Sequence, residues 1–181
     1  TNGTLVREIS GLNYPQDVAV DGNGTIYVGE YYRVSAYDQN GNNLWRLGKN
    51  ANSGGGSSGS NNGQFNQAKG IAISPAGELF VADRNNNRIQ VLDRNGTFKR
   101  KFGSLGTAPG QLQYPEDLVC LPNGNLVVSE YNIRLHFFKQ DGTFLERSSI
   151  GGNNNYDHVS AATDGTLLFR NTLRVPSSTD L

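Results

Sequence analysis

The segment VAVDGNGTIYV at positions 18–28 decides the fold, because two apolar runs flank a tight turn in it. The same layout returns at positions 71–81, 118–128 and 159–169. Each copy keeps a turn glycine at the same place; these are Gly24, Gly77, Gly124 and Gly165. A layout repeated at intervals of about 20 to 50 residues is typical of solenoids and propellers. The sequence therefore predicts a repeat protein built from β-hairpins.

A second hairpin follows the first in three of the copies. Asn-Gly or Asp-Gly pairs stand at positions 40–41, 95–96 and 141–142, and such pairs supply the positive φ that a tight hairpin needs. Each unit is thus predicted to have four strands, A to D. Strand A has a small residue at its centre, as at Ala19, whereas strand D carries charges, as at 99–101. Small inner strands and charged outer strands are typical of the blades of a β-propeller.

The predicted fold class is therefore all-β, a β-propeller of four four-stranded blades in one domain at residues 1–181. The blades are expected at approximately 14–47, 67–102, 114–147 and 156–175, with residues 4–9 added to the last. A stretch rich in Gly, Ser and Asn at 49–62 is expected to form a flexible insert.

The second unit contains four short motifs, Gly63-Gln64-Phe65, Gly70-Ile71-Ala72, Val81-Ala82-Asp83 and Arg88-Ile89-Gln90-Val91. In these residues it resembles an NHL repeat. The resemblance implies a β-propeller, but not one function, because NHL-type propellers include RNA binders, protein-binding ectodomains and a few enzymes. Asn87 stands where the histidine that gives the repeat its name is expected.

The N-terminal segment is predicted to supply the strand that the last unit lacks. Residues 2–9 align with 95–102, the segment that leads into and forms strand D of the second unit, while the last unit has residues for strands A, B and C only. We predict that the segment 4–9 pairs with 173–175 and closes a four-bladed ring. Two alternatives are an arc of a larger propeller and a strand donated to a neighbouring copy, which would produce self-assembly by strand exchange.

Charge and hydropathy argue against several functions. Sixteen Lys and Arg side chains balance sixteen Asp and Glu side chains, so no net field attracts a phosphate backbone or an anionic membrane. No run approaches the roughly 18 apolar residues of a membrane-spanning helix. A nucleic-acid partner is therefore disfavoured, and no membrane span is expected.

In a propeller the turns between strands lie on two opposite faces of the disc. The A-to-B and C-to-D turns share one face, and all three Asn-Gly-Thr sequons, at Asn2, Asn23 and Asn95, fall in this class of turn. These sites predict N-glycosylation on one face and an extracellular or cell-surface location. The same residues are equally explained as good turn formers.

The opposite face is the predicted binding face. Its residues are Tyr31, Tyr32, Arg33, Arg84, Asn85, Arg88, Tyr131 and Arg134. Tyrosine and arginine are over-represented in binding hot spots. Each loop also begins with an acid and ends with an arginine, as in Glu30 with Arg33, so a purely structural ion pair is the favoured interpretation of the charged residues.

A central metal site is a further hypothesis. Asp17 and Asp117 occupy equivalent places at the start of strand A and could converge with His158 on a cation such as Ca²⁺. The favoured alternative is that both carboxylates accept hydrogen bonds from backbone amides. No nucleophile with a paired base is recognisable, and no other cofactor is expected.

These observations favour a non-catalytic extracellular module for binding or assembly. Its ligand would be a protein or a glycan, or the chain would be a structural fibre subunit. The alternatives are a propeller lyase or hydrolase with a channel-bound metal, and an RNA-binding NHL domain that uses the four arginines of the binding face.

Overall fold

The computed structural model describes residues 7–131, 134–149 and 156–171. These residues form strands and one short 3-10 helix, Arg84–Asn86. The strands are β1 (Pro15–Val20), β2 (Ile26–Glu30), β3 (Val34–Tyr37), β4 (Asn43–Leu47), β5 (Ala68–Ile73), β6 (Leu79–Asp83), β7 (Arg88–Leu92), β8 (Phe98–Phe102), β9 (Pro115–Cys120), β10 (Asn125–Glu130), β11 (Arg134–Lys139), β12 (Phe144–Ser149), β13 (Tyr156–Ala161) and β14 (Leu167–Asn171). Within these ranges no helix is both long and apolar enough to cross a membrane.

The strands form four antiparallel sheets in chain order. Three sheets have four strands, β1 to β4, β5 to β8 and β9 to β12, and the fourth sheet pairs β13 with β14. The turn that joins β1 to β2 shows why the repeat folds in this way: Gly24 has a φ of 81° and donates its N–H to the carbonyl of Asp21 at 2.9 Å. The all-β propeller architecture predicted from the repeat is confirmed.

One register recurs in every sheet and gives each sheet two distinct faces. In the first sheet Val18 lies opposite Val28, and Ala19 lies opposite Tyr27. We call the face with Val18 the leading face; its members are Val18, Val20, Ile26 and Val28 in the first sheet, Ile71, Ile73, Leu79 and Val81 in the second, Leu118, Cys120, Leu126 and Val128 in the third, and Val159, Ala161 and Leu167 in the fourth. The trailing face carries Ala19, Tyr27 and Ala36, then Ala72, Phe80 and Val91, then Val119, Val127 and Phe137, and finally Ser160 and Leu168.

The core lies between successive sheets, where a trailing face packs on the next leading face. Tyr27 and Ala36 share one buried cluster with Ile71 and Leu79. Phe80 shares the next cluster with the leading residues of the third sheet, Leu118, Leu126 and Val128. Val127 and Val159 belong to the third cluster. Burial of these apolar faces is therefore what orders the blades around the axis.

The described residues form an arc of blades. The inner strands β1, β5, β9 and β13 lie side by side in that order, but β1 and β13 do not pack together in the same way within the described part of the chain. Most of the predicted closing pair, 4–9 with 173–175, lies outside the described residues. The portion that is described, 7–9, is not in a strand and lies beside Gly41 of the first sheet. Trp45 and Phe102, from the outer strands of the first and second sheets, lie beside Gly96 and Gly142 in the same way. Residues 7–9 therefore take the place of an outer strand that precedes the first blade, and the closing pair itself stays a prediction.

The insert at 49–62 follows a path of hydrogen-bonded turns. The N–H of Ser53 donates to the carbonyl of Asn50, and the N–H of Gly56 donates to that of Ser53. Ser57 pairs back to Lys49 in an isolated antiparallel bridge. The segment predicted as a flexible insert is thus folded against the loops of its own face.

The guanidinium of Arg100 ties the second sheet to the third and pairs with a carboxylate of its own sheet. Arg100 Nη1 donates to Glu78 Oε1 at 2.8 Å, and Arg100 Nη2 donates to the carbonyl oxygen of Gln140 at 2.6 Å. The hydrogen bonds from Arg100 lower the pKa of Glu78 from 4.5 to about 2. Because the carboxylate form is favoured in the folded state, its stabilisation is complete above the pKa of the unfolded chain.

We therefore expect Glu78→Gln to lower the free energy of unfolding at neutral pH. The difference from wild type should shrink as the pH falls from about 4.5 to about 2, because wild type then also loses the ion pair. Urea unfolding across this pH range measures the effect, and Glu146→Gln on the outer strand β12 is the control for loss of an exposed charge. A difference that persists unchanged at pH 2 would contradict the assignment.

Candidate functional site

Each of the three loops between strands B and C is held by a buried carboxylate. Asp83 accepts from the backbone N–H of Asn66 at 2.8 Å and from Arg88 Nε at 2.7 Å. The corresponding carboxylates are Glu30, paired with Arg33, and Glu130, paired with Arg134, and each also accepts a backbone N–H, from Asn13 and Gln113 respectively. The acid at the end of strand B thus fastens the chain that enters its own blade.

The three paired arginines are committed to the fold. Arg88 donates to the carbonyl oxygens of Ser60, Asn61 and Gln64, and Arg33 donates to that of Ala51. These arginines therefore hold the insert at 49–62 in place. The sequence placed four arginines on one face as a potential RNA site. In the structure, Arg33, Arg88 and Arg134 form internal ion pairs instead.

Arg84 is partly exposed on this face and pairs with a carboxylate of the next blade. Its Nε donates to Glu116 Oε1 at 2.6 Å, and Lys69 Nζ lies 2.6 Å from the other oxygen of the same carboxylate. The guanidinium carbon lies 5.1 Å from the ring centroid of Tyr114 and 5.6 Å from that of Tyr131. Cation–π contacts of this kind hold the rings and the charge in one cluster.

A second aromatic cluster lies over the first sheet. The Tyr31 ring is 4.8 Å from that of Tyr32 and 6.3 Å from that of Tyr14, both edge to face. These rings, with Asn13 and Gly56, line a pocket of about 310 Å³. Gly56 belongs to the insert, so the insert forms one wall of the pocket.

Two of the exposed tyrosines were missed by sequence reasoning. Tyr14 and Tyr114 stand directly before the inner strands β1 and β9 and have φ values of 48° and 50°, in the left-handed region. Tyr14 is 75% exposed. A non-glycine residue held in this region is uncommon and is often found at functional sites. The available signal was the Tyr-Pro pair that recurs at 14–15 and 114–115.

Asn85 and Asn87 connect the loop of the second blade to its surroundings. Asn85 Nδ2 donates to Asn66 Oδ1 at 3.3 Å, and Asn85 Oδ1 accepts from Arg84 Nη1 at 3.0 Å. Asn87, at a φ of 54°, accepts the backbone N–H of Tyr114 on its side-chain oxygen at 2.9 Å. Asn87 stands where the histidine of the NHL repeat was expected, and its hydrogen bond positions the start of the next blade.

The candidate metal ligands bond to backbone instead of forming a cage. Asp17 Oδ2 accepts the N–H of Ile71 at 2.8 Å, and Asp117 Oδ2 accepts the N–H of Val159 at 2.8 Å. His158 Nδ1 lies 2.8 Å from Asp117 Oδ2. Burial, with the charge of Asp117 nearby, raises the pKa of Asp17. The described ranges contain no group of three His, Cys, Asp or Glu side chains that could hold a metal ion, and the expected backbone hydrogen bonds account for both carboxylates.

The opposite face carries the sequons. Asn23 and Asn95 are exposed in turns between paired strands, and Asn2 lies outside the described residues. A pocket of about 410 Å³ opens on this face at the ends of the inner strands and includes Cys120. Burial raises the pKa of that thiol to about 12, which makes it a poor nucleophile.

The sequence of the chain is similar to those of known proteins. The sequence model of the NHL repeat matches residues 65–92, which confirms the resemblance seen in the second unit. Protein brain tumor of Drosophila melanogaster is 35% identical over 88 residues, covering 47% of this chain and 8% of that protein. The B-box type zinc finger protein ncl-1 of Caenorhabditis elegans is 51% identical over 37 residues, covering 20% of this chain and 4% of that protein. The chain thus spans only a small part of these relatives.

Solved structures share the fold at low sequence identity. Hydrazine synthase of Kuenenia stuttgartiensis superposes with a TM-score of 0.66 at 13% identity, over 93% of this chain and 44% of that one. A catalytically inactive virginiamycin B lyase from Staphylococcus aureus gives a TM-score of 0.66 at 16% identity, over 90% of this chain and 50% of that one. At these identities the likeness shows the fold alone.

Proposed function

This chain carries an NHL repeat at residues 65–92 within a β-propeller, and on that premise we propose that it is a non-catalytic module that binds a segment of another protein. The binding surface is the tyrosine face, defined as Tyr14, Tyr31, Tyr32, Arg84, Tyr114 and Tyr131. The observation that carries the proposal is that these aromatic side chains cluster on the loop side, two of them from a left-handed backbone.

The chemistry of the face favours a protein partner over a nucleic acid. Tyrosine provides a large rigid contact area and a hydroxyl at low cost in side-chain entropy. Arg84 and Lys69 share the single Glu116 carboxylate, which leaves the cluster one unbalanced positive charge, fewer than the several phosphate contacts on which nucleic-acid affinity depends. A peptide segment with apolar side chains and exposed backbone groups fits such a surface best.

An extracellular location is part of the proposal. It is supported by the exposure of Asn23 and Asn95 on the face opposite the tyrosines, since glycans there would leave the tyrosine face open. Carbohydrate mass on these asparagines after expression through a secretory route would support this location.

A random peptide library displayed on phage is the probe for the tyrosine face. Peptides selected on the wild-type protein should bind at least tenfold more weakly to Tyr31→Ala or Tyr131→Ala, the size of effect seen when a hot-spot side chain is truncated. Leu145→Ala on the outer strand β12 removes an exposed apolar side chain away from this face and should leave affinity unchanged. Isothermal titration with the selected peptides gives the dissociation constants.

Two results would contradict the proposal. Selected peptides whose affinity is the same for wild type and both tyrosine variants would place binding elsewhere. Binding of single-stranded RNA that weakens steeply with added salt and with Arg84→Ala would instead support the nucleic-acid alternative.

A further inference from the structure

Two cations share one buried acid beside the tyrosine face, where the inner strands β5 and β9 begin. Lys69 Nζ lies 2.6 Å from one oxygen of Glu116, and Arg84 Nε lies 2.6 Å from the other. The Glu116 side chain is only 3% exposed, whereas those of Lys69 and Arg84 are 28% and 21% exposed. The solvent-accessible part of this cluster is therefore the cationic part.

A second cluster in the chain shows how a surplus cation is balanced internally. Lys99 and Arg100 also share one acid, Glu78. The pKa of Arg100 is raised by its hydrogen bond to Glu78 and further by the charge of Asp141, and its guanidinium also donates to the carbonyl oxygen of Gln140. That cluster thus has two acids for its two cations.

The cluster around Glu116 has no such second acid among the described ion pairs. Arg84 Nε is taken up by Glu116, and Arg84 Nη1 donates to Asn85 Oδ1 at 3.0 Å. Within the described ranges Arg84 Nη2 donates no hydrogen bond, and Lys69 pairs only with Glu116. Partly exposed N–H groups of both cations are therefore available to an anionic acceptor, which forms the strongest hydrogen bonds with such donors.

Two tyrosine rings set the surroundings of these donors. The guanidinium carbon of Arg84 lies 5.1 Å from the ring centroid of Tyr114 and 5.6 Å from that of Tyr131. Each tyrosine is 44% exposed. An anion bound by Arg84 would thus lie beside aromatic surface that an apolar side chain can cover.

We propose that Lys69 and Arg84 together bind one carboxylate of the segment that docks on the tyrosine face. The carboxylate is that of an Asp or Glu side chain, and its apolar neighbour in the segment packs on Tyr114 and Tyr131. The inference rests on the proposed function and adds the chemistry of the partner. Charge complementarity supports it, because a single carboxylate neutralises the one unbalanced positive charge, whereas a phosphate group carries nearly two negative charges.

The test compares acidic and neutral forms of the peptides selected on the wild-type protein. Replacing their Asp or Glu by Asn or Gln should weaken binding to wild type about tenfold, the size expected for a hydrogen-bonded contact between charged groups. On Lys69→Gln and on Arg84→Gln the same change in the peptide should cost about twofold or less, because its charged partner is gone. Isothermal titration gives the constants, and circular dichroism verifies that each variant is folded.

Lys99→Gln is the matched control, since Lys99 shares an acid with an arginine in the same way but lies on the outer strand β8. The tenfold preference for the acidic peptide should be retained on this variant. Peptides that end at the acidic position with a free or an amidated carboxyl group are titrated alongside. A preference confined to the free terminus would overturn the assignment to a side chain.

The possible failures are distinguishable. Selected peptides that depend on Tyr31 and Tyr131 but show no acidic preference would overturn this inference and leave the proposed function standing. A preference of equal size on wild type, Lys69→Gln and Arg84→Gln would do the same. A selection that yields no binding peptide would overturn both.

Discussion

Phe80→Ala is expected to lower the free energy of unfolding by about 3 to 5 kcal/mol, the cost of removing a fully buried aromatic side chain. Phe80 has no exposed surface and packs with Leu118, Leu126 and Phe138 between the second and third sheets. Its loss opens a cavity between two blades, which adds to the lost transfer free energy of the ring. Denaturant unfolding followed by tyrosine and tryptophan fluorescence measures the change.

The repeat offers a matched control at the same register position. Leu168→Ala truncates the equivalent residue in the fourth sheet, which is exposed, and should change stability by less than about 0.5 kcal/mol when measured at dilution. Equal costs at the two positions would mean that Leu168 is covered within one chain. That outcome would support a closed ring and contradict the arc.

Asp83→Ala is the second substitution with a large expected effect. It leaves the buried guanidinium of Arg88 without its carboxylate and removes the acceptor for the N–H of Asn66 and for Gln90 Nε2. Breaking a buried pair in this way typically costs about 3 to 5 kcal/mol. Thermal and denaturant unfolding measure the loss.

A second readout tests what the pair holds. Arg88 also binds carbonyl oxygens near the end of the insert at 49–62, so limited proteolysis should cut the insert faster in Asp83→Ala. Glu146→Ala, at an exposed position in β12, should change neither stability by more than about 0.5 kcal/mol nor the rate of cleavage. A variant as stable and as resistant as wild type would show that the pair is not the anchor of this loop.

The candidate site was only partly predictable from residues. Tyr31, Tyr32 and Tyr131 stand in loops whose place follows from the strand repeat, so a pattern locates them. Tyr14 and Tyr114 stand before strand A, and their exposure depends on a left-handed backbone that no propensity of tyrosine predicts.

The charged residues of the loops were also only partly predictable from sequence. Their spacing in each loop was enough to suggest ion pairs such as Asp83 with Arg88. The spacing does not show that these pairs are buried. It also does not show that each pair forms hydrogen bonds with backbone groups about 20 residues away, because both features depend on tertiary packing. For that reason the sequence favoured ion pairs within each loop but left a basic RNA-binding face open as an alternative, whereas in the structure Arg33 and Arg88 are internal anchors.

Sequence alone determined the strands, their hairpins and the order of polarity across each blade, because alternation along a strand and positive φ in a turn are local properties. Tertiary structure decided which faces are covered in the described residues and where the insert lies. These features depend on the small rotation from each blade to the next, which accumulates from packing between sheets and is not encoded in any one segment.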